Sequence, residues 1–175
     1  MTDTKKAALA DVLRQTLVDR ELEFEQPEPE SFVVRLPGTH KLATVTGFEI
    51  GDHSLRLEAF FCRRPDENHE AFYRWLLERN ARMYGVAFSV DHHGDVYLVG
   101  RVPLSSVEPD ELDRLLGSVL TYADEWFDVA LEIGFRSSIE REWDWRARRG
   151  ESLANLAAFA RFADPANRSR EDVQP

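Results

Sequence analysis

Hydrophobic positions change their spacing several times along this chain, and each change marks an element. Between residues 4 and 22, Leu9, Val12, Leu13 and Leu17 recur at helical intervals, with Asp11, Arg14, Asp19 and Arg20 off that stripe. This predicts an amphipathic helix. Glu25-Gln26-Pro27-Glu28-Pro29-Glu30 ends it. Two prolines exclude helix there, and the carboxylates keep the segment solvated. The spacing then drops to two. Phe32, Val34 and Leu36 alternate with Ser31, Val33 and Arg35, and Pro37-Gly38 marks a turn. A second strand over 41–50 places Leu42, Phe48 and Ile50 on one face, and Gly51-Asp52 reads as a tight hairpin connection. In a third strand Leu55, Leu57, Ala59 and Phe61 face one way, Arg56 and Glu58 the other, and Phe60 breaks the rule by sitting on the polar side. The middle of the chain is thus predicted to be an antiparallel meander with one buried face.

Helical spacing returns over 66–83. Asp66 reads as the N-cap and Glu67 as a complement to the helix dipole. Glu70, Arg74, Glu78 and Arg82 alternate in sign at steps of four, as on a solvent-facing side, while Phe72, Trp75, Leu76 and Met83 face inward. Two strands follow, 86–91 and 95–102, with His93-Gly94 in their turn; Val96 to Val99 are apolar on both faces, as in a central strand. From Val107 to Gly134, Leu112, Leu115, Leu116, Val119, Leu120, Ala123, Phe127, Ala130 and Leu131 make one unbroken helical stripe, with Gly117 as a weak point or a close-packing site. Shorter helices at 137–149 and 151–162 are split at Gly150, and residues 163–175 read as a disordered tail. The expectation is one α+β domain over 4–162. Its order is α-βββ-α-ββ-α, with helices mainly on one face of the sheet and a helical extension at 137–162.

Composition narrows the function. The chain of 175 residues carries 22 basic and 32 acidic residues, a net charge of −10. A field of that sign repels nucleic acid and anionic membranes. The one cysteine, Cys62, excludes an intrachain disulfide and suits a reducing compartment. No apolar run approaches a membrane span, and the N-terminus lacks a signal-peptide core, so the expected location is the cytoplasm.

No motif commits the chain to catalysis, and none calls for a cofactor. Neither phosphate-binding glycine pattern is present. Asp91-His92-His93-Gly94-Asp95 has metal-ligand residue types, but a hairpin turn needs Gly and Asp anyway, and neighbouring strand residues point to opposite faces. Asp66-Glu67-Asn68-His69-Glu70 is explained by a helix start. Cys62 precedes Arg63 and Arg64, whose charge would favour a thiolate, but it has no partner at a recognisable spacing. The run from Arg141 to Arg149 mixes arginine with Trp143 and Trp145, a composition that fits docking or core packing better than nucleic-acid tracking. Phe60, Arg63, Arg64, Trp143 and Trp145 are therefore the partner-binding candidates, since Trp and Arg are enriched among residues that carry binding energy.

Several strings carry a family resemblance. They are Leu36-Pro37-Gly38, Arg63-Arg64-Pro65-Asp66-Glu67-Asn68, Tyr73-Arg74-Trp75-Leu76-Leu77-Glu78-Arg79-Asn80, Asp95-Val96-Tyr97-Leu98-Val99-Gly100-Arg101 and Pro109-Asp110-Glu111-Leu112-Asp113. Together with the element order they resemble the YbjN-like family of small bacterial proteins, in its longer actinobacterial form. The resemblance covers about residues 5 to 162. It implies a fold similar to class I type III secretion chaperones, which are α+β homodimers that bind extended peptides. It also implies the label of sensory-transduction regulator and no catalytic residues. The expected function is a non-enzymatic protein-binding module, chaperone-like or regulatory, working as a homodimer. The alternative is a sensory domain that binds a small ligand. Residues 137–162 depart from the shorter chaperone pattern and could close the peptide-binding face, seal a dimer or act as a lid.

Overall fold

The computed structural model describes residues 3–167. They divide into two compact units. One is built on residues up to Arg64 together with Trp75–Phe127; the other is built on Pro65–Arg74 and the chain from Asp128 onward.

The first unit is organised by a six-stranded antiparallel sheet. Its elements are α1 (Asp3–Asp19), β1 (Glu23–Glu28), β2 (Ser31–Pro37), β3 (Ala43–Ile50), β4 (Ser54–Cys62), the second half of α2 (His69–Asn80), β5 (Ala87–Val90), β6 (Val96–Pro103) and α3 (Pro109–Glu125). The strands lie in the order β1-β2-β3-β4-β6-β5. Period-2 alternation survives intact: Phe32, Val34, Leu36, Phe48, Ile50, Leu55, Leu57, Ala59 and Phe61 are all buried. Each fully buried Leu, Val or Phe contributes about 1.5–3 kcal/mol, so this stripe specifies both face and register. α1 and α3 pack against β3, and α1 against α3. α1 ends in a paired reverse bond: Leu22 N–H donates to Leu17 and Glu21 N–H to Val18, with Glu21 at φ 53°.

Four sequence expectations change here. The Glu- and Pro-rich segment is not a solvated break: it forms β1, pairing Phe24 with Val34 and Glu25 with Val33 before a bulge spanning Pro27. An edge strand needs only one row of ladder bonds, so proline is tolerated at its bulge. Leu42 lies before β3 and is 85 % exposed, and its place in the core stripe goes to Thr44 and Thr46. The long helix breaks at Trp126 rather than at Gly134. Gly117 has open space where a side chain would sit, so it is not a close-packing site.

The second unit contains the first half of α2, α4 (Phe127–Arg149, from Asp128), a 3-10 stretch Ala154–Phe159 and α5 (Ala160–Ala163). α4 buries Ala130, Gly134, Phe135, Ile139 and Trp143. The Asp66-Glu67-Asn68 loop is held on α4 and does not cap α2 in the expected way. Asp66 and Glu67 N–H groups donate to the Gly134 carbonyl, and Asn68 donates to that of Ile133. The Glu67 carboxylate accepts from Ser137 N–H (2.6 Å) and Oγ (2.8 Å), and Asp66 accepts from Ser138 Oγ (2.6 Å). Gly134 permits this approach, because a Cβ there would meet the Phe72 ring and Pro65 at 2.9 Å. Of the tail expected at 163–175, residues 168–175 lie outside the described residues; Ala163 is fully buried at the end of α5.

Candidate partner-binding face

Alternation that buries one side of the sheet assigns the other residues to an opposite face. Across it run the rows Val33–Gly47–Glu58–Val99–Ala87, Glu49–Arg56–Arg101 and Phe60–Tyr97–Ser89. Val33 is 38 %, Val45 49 % and Phe60 41 % exposed. Phe60 meets Tyr97 edge to face, with ring centroids 5.5 Å apart. Glu49 and Arg56 pair at 2.5 Å. Because Gly47 has no side chain, a shallow depression of about 430 Å³ opens over it, lined by Val33, Glu49, Arg56, Glu58 and Arg101. A Cβ at Gly47 would touch only Glu58 O at 3.8 Å, so packing does not demand this glycine. The face therefore mixes apolar anchors with charge, as interfaces do.

Both edges of the sheet carry features that oppose strand addition. β1 presents Glu23, Glu25 and Glu28 with Pro27 in its bulge. On β5, the Asn80 amide takes both outward backbone groups of Phe88: the Phe88 N–H donates to Oδ1 (2.7 Å) and Nδ2 donates to its carbonyl (3.2 Å). This side chain does what an added strand would do.

A buried relay fixes the Phe60 end of the face. β4 carries a bulge between Phe60 and Cys62, which turns both Phe61 and Cys62 inward. Lys41 Nζ donates to the Phe60 carbonyl (2.5 Å) and the Phe61 carbonyl (2.9 Å) and lies 5.5–5.8 Å from the ring centroids of Phe60, Phe61 and Phe127. Burial pushes the Lys41 pKa down to about 8. The loop bearing Lys41 is held in turn by Asp124 of α3, whose carboxylate accepts the N–H groups of Thr39 (2.9 Å), His40 (2.9 Å) and Lys41 (2.8 Å). Burial alone would raise the Asp124 pKa, but those backbone donors outweigh it and hold the carboxyl below its ordinary range. Gly38 is required beside it: a Cβ would sit 2.1 Å from the Lys41 carbonyl and 2.4 Å from Asp124 Oδ1. The sequence reading missed this relay. Its one available signal was an aspartate on the apolar stripe of a helix.

The other candidates separate. Arg63 and Arg64 are exposed where β4 ends. The Arg64 N–H donates to Asp95 (2.8 Å), and its methylenes lie against Gly94, whose φ of 90° makes the β5–β6 turn. In the second unit, Trp145 is 43 % exposed with Arg149 over its ring at 4.9 Å. Trp143 is 7 % exposed and packs on the buried side of α4, so it is no surface anchor. Cys62 is buried, and burial raises its thiol pKa to about 12, which disfavours the thiolate that Arg63 and Arg64 were expected to support. His92 and His93 lie in a turn, not a strand, so their rings do approach, to 3.7 Å. Among the described residues, no group of three or more His, Cys, Asp or Glu side chains is gathered as a metal site would require. No described helix is long and apolar enough to cross a membrane.

The chain has three kinds of likeness to known proteins. The YbjN family model, described as "Putative bacterial sensory transduction regulator", matches residues 9–132. Uncharacterized proteins of Mycobacterium bovis and Mycobacterium tuberculosis are each 58 % identical over 132 residues, covering 75 % of this chain and 72 % of theirs. One of Mycobacterium leprae is 56 % identical over the same length. Among solved structures, a chain of the heterodimeric ExoU–SpcU complex from the type III secretion system of Pseudomonas aeruginosa superposes with a TM-score of 0.51. It is 15 % identical, and the match covers 70 % of this chain and 97 % of that one. That likeness is one of fold, and it agrees with the α+β, chaperone-like architecture expected from the sequence.

Proposed function

Because the chain belongs to the YbjN family, as the sequence strings indicated, we propose that it is a non-enzymatic protein-binding module of chaperone-like or regulatory kind. It takes its partner on the open face of the sheet, and the first partner to consider is a second copy of itself. One observation carries this: Val33, Val45 and Phe60 are exposed together on a face of the sheet whose two edges oppose strand addition. Burying three such side chains supplies an apolar centre, and Glu49, Arg56, Glu58 and Arg101 supply a charged surround. The name of the ExoU–SpcU complex describes a protein held by a protein, which is consistent in kind. A small ligand is less well served, because the depression over Gly47 is open, and ligand pockets enclose most of their occupant.

The test places a photo-reactive phenylalanine analogue at position 60 in cells. Cross-links to a protein, either this chain or another, are expected, and Val45→Glu should abolish them. Light scattering of the purified chain separates the two partners: a dimer that becomes a monomer on Phe60→Glu identifies the second copy. A position-60 probe that captures no protein would overturn the reading.

A further inference from the structure

Many arginines of this acidic chain are paired with carboxylates: Arg14 with Asp11, Arg20 with Asp113, Arg74 with Glu70, Arg146 with Glu142. Among the described residues, the end of α2 instead brings two arginines that make no ion pair to one depression. The sequence predicted an alternating ladder there, but of its neighbouring pairs only Glu70–Arg74 closes. α2 stops at Asn80, whose amide is committed to β5, and the chain turns with the Arg82 N–H donating to the Arg79 carbonyl (2.9 Å). Arg82 thereby leaves the helix, and among the described residues neither the Arg79 nor the Arg82 guanidinium makes an ion pair or side-chain hydrogen bond.

Arg79 is nevertheless held in place. Its guanidinium carbon lies 4.5 Å from the Trp75 ring centroid and 5.8 Å from that of Trp126. Trp126 is stacked on Tyr122 at 4.8 Å and meets Trp75 edge to face at 6.2 Å. The Tyr122 hydroxyl accepts the Tyr84 N–H (3.1 Å). A guanidinium lying over an indole keeps its in-plane N–H donors at the rim, where they match a carboxylate. Glu78, Arg79, Ala81, Arg82 and Trp126 line a depression of about 520 Å³ at this point.

We propose that this depression is a docking site for an acidic peptide segment of a protein partner. The Arg79 and Arg82 guanidinium groups bind its carboxylates, and the Trp126 indole receives a neighbouring apolar side chain. Three features select that occupant. Two neighbouring guanidinium groups that make no ion pair, in a chain of net charge −10, suit a carboxylate ligand. The depression is bounded by the end of α2 and by Trp126 and is otherwise open, so a chain crossing it is better served than a small molecule that needs enclosure. Glu78 on the rim opposes a continuous polyanion, and two arginines are few for tracking a nucleic-acid backbone. The site lies apart from the open sheet face and stands or falls separately from it.

A random dodecapeptide display library selected on the full-length chain tests this. Selection should enrich peptides that place Asp or Glu next to Leu, Phe or Trp. For a synthesised winner, replacing its acids by their amides should weaken binding about ten- to a hundredfold. Arg82→Gln, an exposed change that should leave the thermal melt intact, should weaken it about tenfold, and Arg79→Lys should do so by removing the fork while keeping the charge. Phe60→Glu should leave it unchanged. The proposal is overturned if no acidic consensus emerges, if the peptide binds Arg82→Gln and Arg79→Lys as well as the native chain, if Phe60→Glu removes binding, or if oligothymidylate binds more tightly than the peptide.

Discussion

In the sheet unit, Asp124 holds a distant loop by accepting three backbone N–H groups; in the helical unit, Glu67 and Asp66 hold a distant helix by accepting from Ser137 and Ser138. The chemistry is the same, and each grip depends on a glycine that lets the backbones approach, Gly38 in one and Gly134 in the other. What differs is water. Asp124 is 9 % exposed, while the Asp66 and Glu67 bonds lie at the surface. A buried acceptor that is removed leaves donors with nothing to bond; an exposed one is replaced by solvent. The two grips should therefore differ severalfold in how much each contributes to stability.

The largest effect expected is that of Gly38→Ala. Its Cβ would collide with the Lys41 backbone carbonyl at 2.1 Å and with Asp124, and backbone cannot swing aside as a side-chain tip can. Urea denaturation should show a loss of at least about 3 kcal/mol, combining overpacking with the loss of the grip. Asp124→Asn comes next, at about 2–3 kcal/mol, because the amide keeps one oxygen but loses the charge that draws three donors. The pH dependence has a definite sign. Asp124 is held below its ordinary pKa when folded, so its contribution is complete above about pH 4, where the unfolded carboxyl is ionised. It is lost as the pH falls through the lower folded value. Native protein should weaken over that acid range, and Asp124→Asn should weaken less. Equal slopes for the two would remove the claim that the three backbone donors hold the folded carboxyl below its ordinary range.

Burial also decides how much could be read from the sequence. The strand stripes were legible because period-2 alternation acts on residues that lose all contact with water, Phe32 through Phe61. β1 was not, since an edge strand of glutamates with a proline buries little and reads as solvated. The exposed position of Phe60 was legible because an apolar residue out of phase with its strand is visible locally. Asp124 was missed because its grip on the Lys41 loop spans more than eighty residues, between a loop and a helix no local period connects, and Lys41 because its contact with the end of β4 depends on where that loop is held. The Glu78–Arg82 pair of the expected ladder failed for a related reason: its spacing assumed a helix that in fact stops at Asn80. Trp143 and Trp145 show the limit of composition, since one is buried and the other exposed two residues later on the same helix.

Gly134→Ala sharpens the comparison from the other side. Its Cβ would meet the Phe72 ring and Pro65 at 2.9 Å, and a ring can give way where the carbonyl at Gly38 cannot. A loss of about 1–2 kcal/mol is expected. If it equalled the Gly38→Ala loss, the rigidity of the obstacle would not be what matters.

The smallest effect is the most discriminating. Glu67→Gln keeps an oxygen in reach of Ser137, removes a charge and changes no packing. With water free to serve the Ser137 N–H and hydroxyl, the cost should stay below about 1 kcal/mol. The same substitution in the buried grip costs two to three times as much, and the ratio is the quantity of interest, because both swap a carboxylate for its amide opposite a backbone donor. Ser137→Ala, alone and combined with Glu67→Gln, isolates the hydroxyl's share. A coupling near zero in that cycle means solvent replaces the partner, as exposure predicts. A coupling as large as the Asp124→Asn loss would mean the helical unit shields this carboxylate from water, and the contrast between the two grips would have to rest on something other than burial.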